Sequence, residues 1–131
     1  MKFSLSWLSE HIEFLPNTSL EIISNSLTSL GLEVESVIDS SKQLKDFIIA
    51  EIIEVSPHPN ADKLSICKLE IGNKKVSVVC GASNVKNGLK TVFAPIGSTI
   101  PSNGLVLKKK DIRGFTGEGM LCSSQELCLE E

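Results

Sequence analysis

Leu5, Leu8 and Ile12 recur three and four residues apart with Trp7 beside them, which predicts a short helix starting near Ser4 or Leu5. Pro16-Asn17 breaks it. Thr18-Ser19-Leu20-Glu21 then reads as a capping box, with the Thr18 hydroxyl serving the Glu21 amide. Leu20, Ile23, Leu27 and Leu30 form an apolar stripe behind this cap, and Gly31 suits the left-handed position that closes a helix. Residues 32 to 38 are expected to follow as a short strand. A helix–helix–strand piece of this size cannot close a core, so its stripe has to lie on something else.

The texture changes at Ser40. Phe47 to Val55 is a nearly continuous, β-branched apolar run. From Leu64 to Ile71 the alternation changes phase midway, Leu64 and Ile66 first, then Leu69 and Ile71, as a β-bulge produces. Gly72-Asn73 is a tight-turn signal, after which Val76, Val78 and Cys80 alternate. Thr91 to Pro95 and Leu105 to Leu107 are further candidate strands, and a helical turn is expected over Ser124 to Leu127. Five or so short, bent strands in under a hundred residues favour a small barrel over a flat sheet. The predicted class is α+β, mostly a β barrel, with the chain dividing near Asp39.

At 131 residues, 41% hydrophobic and 22% charged, the chain can bury one ordinary core. No apolar run approaches the roughly 18 residues a bilayer span needs, so no membrane partner is expected. The N-terminus lacks a secretory h-region, and a reducing, cytoplasmic setting is the default for its cysteines. The net charge of −3 hides an asymmetry. Residues 1–39 carry one Lys against six acids, whereas residues 40–131 carry twelve Lys/Arg against ten acids, or against seven if the tail after Gln125 is left out. A basic segment within an acidic chain points mildly to a polyanion, because local field rather than total charge captures such a partner.

Catalytic chemistry is not legible. Cys67, Cys80, Cys122 and Cys128 lack the close pairing of zinc ligands, and the only histidines are His11 and His58. Buried free thiols are the expected state, and His58 is the sole candidate base for a thiol nucleophile. Residues 81–88 are glycine-bounded but match no phosphate-loop pattern. Asp62, Asp111 and Glu118 show no sign of a shared site. No catalytic or metal residue is therefore assigned.

The basic residues say more. Lys108-Lys109-Lys110 with Arg113 form a cluster closed by Gly114, and Lys63, Lys68, Lys74, Lys75, Lys86 and Lys90 are spread over the strands and loops. Such residues are most often a solvated face. If they meet a nucleic acid, the chain's five Phe, one Trp and no Tyr supply a poor stacking platform for single strands. Lys and Arg reaching phosphates and 2′-hydroxyls of a folded RNA fit better. Phe115 is the one candidate stacker, with a core role as its alternative.

His58-Pro59-Asn60-Ala61-Asp62-Lys63-Leu64, Val79-Cys80-Gly81-Ala82 with Asn84, Arg113-Gly114, Gly119-Met120-Leu121-Cys122-Ser123 and Glu126-Leu127 together closely resemble the OB-fold tRNA-binding module. That module is shared by EMAP-II-like proteins, the tail of some methionyl-tRNA synthetases and the β chain of bacterial phenylalanyl-tRNA synthetases. Met1-Lys2-Phe3-Ser4, Trp7-Leu8 and Leu30-Gly31-Leu32-Glu33-Val34-Glu35 resemble the start of that β chain. The resemblance implies that residues 1–39 are the first half of a discontinuous α/β domain whose second half is absent. Residues 40–131 would be the OB-fold tRNA-binding domain, with room for its last short strand to be missing.

The implied function is non-catalytic: assisting tRNA capture for phenylalanine–tRNA ligase, an α₂β₂ enzyme that uses ATP and Mg²⁺ and carries its active site in the α subunit. A free-standing tRNA-binding or chaperone-like OB protein and a structural spacer without RNA contact are the rival readings. The expected tRNA-binding residues are Lys63, Asn84, Lys109, Lys110, Arg113 and Ser123. Lys63, Lys109, Lys110 and Arg113 are expected on one face. Asn84 has its own loop as an alternative partner, and Ser123 has the cap of the following turn. Pro57 and Pro59 would stiffen the approach to the second strand, with Asp62 capping the corner at Asn60-Ala61. Two departures stand out: Gly117 where the family often has Ser, and Cys128 where the last block usually has Gly, which implies an altered turn. The Leu20/Ile23/Leu27/Leu30 face is expected to be covered by the barrel or by another chain, including a second copy of this one.

Overall fold

The structure, a computed structural model, describes residues 1–129; Glu130 and Glu131, which end the sequence-predicted barrel segment, lie outside the described residues. The chain separates into two compact units, Met1–Ile38 and Asp39–Glu131.

In the first unit, Ser4 accepts the Trp7 N–H and opens α1 (Leu5–Ser9). The second helix, α2 (Leu20–Ser29), is capped by Ser19, whose hydroxyl accepts the Ile22 N–H, and not by Thr18 as the sequence predicted. One position decides it: α2 starts at Leu20, which makes Ser19 the last non-helical residue. Its other end closes as expected. Gly31 adopts φ +86°, and the Leu32 N–H reaches Leu27 O at 3.0 Å in a Schellman arrangement. The predicted strand over 32–38 is not formed, because a strand needs a ladder and no described strand pairs with it. No residue of this unit is buried: Leu20, Ile23 and Leu27 are half-buried, while Leu30 and Ile38 are exposed.

The second unit opens with α3 (Ser40–Leu44), capped by Asp39. A five-stranded antiparallel sheet follows, built from β1 (Ile48–His58), β2 (Ala61–Ile71), β3 (Lys74–Cys80), β4 (Lys90–Pro95) and, after a separate hairpin of β5 (Asp111–Ile112) and β6 (Phe115–Thr116), β7 (Gly119–Cys122). The order is β3-β2-β1-β4-β7. The sheet curls until its edges meet: the Glu118 N–H donates to Ser77 O at 3.0 Å, and the Ser77 N–H donates to Glu118 Oε2 at 2.9 Å. This is the small barrel that the strand pattern predicts, with the OB-like form that the resemblance implies.

Gly72, at φ +55°, turns β2 into β3 through a two-residue loop. The bulge expected midway along β2 lies across the ladder on β1, and a second break, between Pro57 and His58, leaves residues 62–64 of β2 without partners on β1. Ile52 pairs Leu69 and Glu54 pairs Lys68, so Ile53 is the extra residue. It moves the inward phase of β1 from Ala50 and Ile52 to Val55. Along β4 the side chains alternate between two cores. Phe93 joins Ala50, Ile52, Cys67, Leu69 and Val78 inside the barrel, while Ala94 joins Ile100, Cys122 and Leu127 on the opposite face. Ile52 and Leu69 have no exposed surface, and burying each contributes about 1.5–3 kcal/mol. The segment over the second core holds only a single Thr99–Val106 bridge where Leu105–Leu107 was expected to be a strand. Gly119 passes so close to Ala94 O and the Phe93 ring that a Cβ there has no space.

Candidate nucleic-acid interface

Arg113 and Gly114 form the two-residue loop of the β5–β6 hairpin, at φ +53° and +90°. Two consecutive positive φ values define the I′ twist that joins short antiparallel strands, and this turn ordinarily prefers Asn-Gly or Asp-Gly. Placing Arg in the left-handed region costs about 1 kcal/mol, so the surroundings must hold it. Asp111 does so from within: Oδ1 accepts the Gly114 N–H at 2.8 Å and Oδ2 accepts the Thr116 hydroxyl at 3.4 Å.

The remaining support comes from the corner after β1. His58, only 4% exposed, accepts the Asn60 N–H on Nδ1 at 3.0 Å. That bond leaves Nε2 as the protonated nitrogen, and it donates to Ile112 O at 3.0 Å. Asn60 Nδ2 donates to Arg113 O and Arg113 Nη1 donates to Asn60 O, both at 3.1 Å. Asp62, expected to cap this corner, makes no such bond; the His58 ring takes the role, accepting two residues on as an Asx side chain does.

Arg113 thus has one guanidinium donor engaged and its other donors directed to no acceptor among the described residues. Lys109 and Lys110 are exposed and lead directly into β5, and Lys63 is exposed three residues beyond Asn60. Among the described residues the single ion pair is Lys68–Glu54 at 2.7 Å, so none of these three ammonium groups is neutralised by a carboxylate.

Asn84 lies in the loop from 81 to 89. That loop leaves β3 at Gly81, where an added Cβ would sit 3.3 Å from Leu64 Cδ2, beside Lys63. Val85 and Leu89 pin the loop to the core, and the Gly88 N–H donates to Ile52 O at 2.7 Å. The Asn84 side chain is exposed and makes no hydrogen bond among the described residues, so its expected role in bracing its own loop is not seen. Ser123 takes the capping alternative: its hydroxyl donates to Glu126 Oε2 at 3.0 Å and accepts the Glu126 N–H at 3.3 Å.

Gly117 is buried, and a β-carbon there would meet its nearest neighbours, Gly119 O and Val79 N, at an ordinary 3.7 Å. Cys128 adopts φ +54°, the left-handed conformation that a glycine takes without strain. All four thiols are free. Burial, followed by the Glu126 carboxylate, pushes Cys122 up to about 11. Burial and then Cys80 raise Cys67. Such thiols stay protonated and are poor nucleophiles at neutral pH.

Sequence reasoning offers His58 only as a candidate base for a thiol, gives Asn60 no role, and finds no shared site for Asp111 and Glu118. Their partners lie between 2 and 54 positions away, and only folding brings the distant ones together.

Residues 47–131 match the family described as "Putative tRNA binding domain". The chain is 52% identical over 131 residues to the phenylalanine–tRNA ligase beta subunit of Wolbachia sp. subsp. Brugia malayi (strain TRS), covering all of this chain and 16% of that protein. It is 49% identical over 129 residues to the corresponding subunit of Rickettsia prowazekii (strain Madrid E), covering 98% of this chain and again 16% of the relative. The chain therefore spans 16% of the length of these curated relatives. Among solved structures, a MetRS related protein from Pyrococcus horikoshii aligns over 66% of this chain and 76% of its own, with 20% identity and a TM-score of 0.49.

Proposed function

This chain belongs to the tRNA-binding domain family, and from that premise we propose that it is the non-catalytic tRNA-binding part of a phenylalanine–tRNA ligase β subunit, acting in the cytoplasm. The carrying observation is the family match over residues 47–131. The exposed, unneutralised Lys63, Lys109, Lys110 and Arg113 support it.

The binding residues work by charge and shape. Arg113 offers a planar fork that suits a phosphate where Lys would offer a point charge. Lys63, Lys109 and Lys110 add sequence-independent attraction, and Asn84 adds an unengaged amide for a base or ribose. Ser123 contributes by fixing the turn after β7 instead of by donating to RNA. With few aromatic residues to stack bases, the surface favours folded RNA over a single strand.

Phenylalanylation itself belongs to the whole enzyme. ATP and Mg²⁺ serve that reaction with the α subunit, and this chain raises the local capture of tRNA. Residues 1–38 act as half of a split domain completed elsewhere in the β subunit. The α2 face, with Leu30 exposed, is available to a second copy of the chain.

Titration with a folded tRNA and with a single-stranded oligonucleotide of equal charge, at two salt concentrations, tests the reading. Preference for the folded tRNA is expected, with affinity falling on a log–log plot by about 0.7–0.9 per phosphate contact. Arg113→Gly, which keeps the positive φ, lowers that slope by about one contact. Absence of salt-sensitive binding at low salt would leave the domain a spacer.

A further inference from the structure

The hydrogen bonds around the β5–β6 hairpin have a consequence for that surface. The hairpin is two residues per strand and pairs with no other strand, and an isolated hairpin of that length is not stable in water. A backbone bond from the Glu118 N–H to Ser77 O ties the chain to the barrel just after β6, and the rest of the hairpin's orientation comes from side chains. Three hydrogen bonds run between it and the corner after β1: His58 Nε2 to Ile112 O, Asn60 Nδ2 to Arg113 O, and Arg113 Nη1 to Asn60 O. The His58 ring is buried, and its second nitrogen fixes the Asn60 backbone, so the latch has one rigid end. Lys109 and Lys110 enter β5 directly and move with it.

Resting on the proposed tRNA-binding role, we propose that His58 and Asn60 are positioning residues: they latch the β5–β6 hairpin so that Arg113, Lys109 and Lys110 are presented to the RNA backbone as one set, without touching RNA through the His58 ring. Removing the latch leaves the cations in the chain but scatters them, so fewer engage phosphates at once.

Two variants of the full chain separate this from a general loss of stability. Asn60→Ala removes an exposed amide and its bond to Arg113 O. His58→Asn keeps an acceptor for the residue-60 N–H, as an Asx turn does, but is too short to reach Ile112 O. Each is measured for the salt dependence of binding to a folded tRNA and for its thermal midpoint. Loss of simultaneous contact by Arg113, Lys109 and Lys110 lowers the log–log slope by about 2 to 3. A drop of at least one unit at temperatures where each variant is fully folded is the expected result. ¹⁵N spectra of the unmodified chain should show His58 as the neutral Nε2–H tautomer. Unchanged slopes with unchanged affinity, or affinity falling only in proportion to the folded fraction, overturn the latch while leaving tRNA binding intact. If the unmodified chain shows no salt-sensitive binding, the tRNA reading fails first and the latch with it.

Discussion

Cys128 shows what one backbone angle does to this chain. It sits at φ +54° in the turn that follows β7, exposed, where a β-carbon is strained. Relief of that strain, about 1–2 kcal/mol, exceeds the roughly 0.5–1 kcal/mol that a glycine loses through its freer unfolded chain. Cys128→Gly is therefore expected to raise the thermal midpoint by a few degrees, and Cys128→Val to lower it; calorimetry on the pair measures both. Residues of this kind were only half legible in the sequence. The departure from Gly could be seen, but its sign could not, because φ at 128 is set by the Leu129 N–H reaching back to Ser124 O. Asn84 and Ser123 each had two candidate partners in the sequence. The fold gave Ser123 a carboxylate three residues away and left Asn84 without a partner among the described residues.

At the scale of elements, legibility followed pairing. Strands whose own alternation meets a neighbour, β2, β3 and β4, appear where the pattern placed them. Residues 32–38 had the composition of a strand but no ladder to join among the described residues, and residues 105–107 meet 97–100 through one bridge and three backbone hydrogen bonds, too short a pairing to count as a strand. The bulge was visible as a phase change in β2, yet the extra residue lies across the ladder in β1, since register belongs to the pair. The barrel seam was invisible: Ser77 and Glu118 are 41 positions apart, and each gives the other a hydrogen bond. Glu118→Ala leaves the Ser77 N–H without its carboxylate. The seam is exposed, so the expected cost is about 1 kcal/mol. Urea unfolding reads this cost, and faster amide exchange at Ser77 locates it. Glu118→Gln, which retains an acceptor, should recover most of the loss.

At the scale of the whole molecule, two units of different character share one chain. The first carries five of the sixteen acids against one Lys and buries no residue; the second carries twelve of the thirteen Lys/Arg and both cores. The family was legible because its motif blocks sit at turns and seams, where sequence is most constrained by geometry: the corner at 58–64, the loop from 81, the hairpin turn at 113–114 and the capped turn at 123–126. What those blocks do physically, with His58 and Asn60 gripping a hairpin more than fifty positions away, needed the fold. The central claim is that the corner, the loop and the hairpin form one polyanion-binding surface. Amide chemical-shift mapping of the isotopically labelled chain against folded tRNA tests it most directly. The account predicts perturbations clustered at residues 60–64, 81–86 and 108–116 that fade together as salt is raised. Perturbations centred instead on residues 96–107, with Asn60 and Arg113 unmoved, would contradict it.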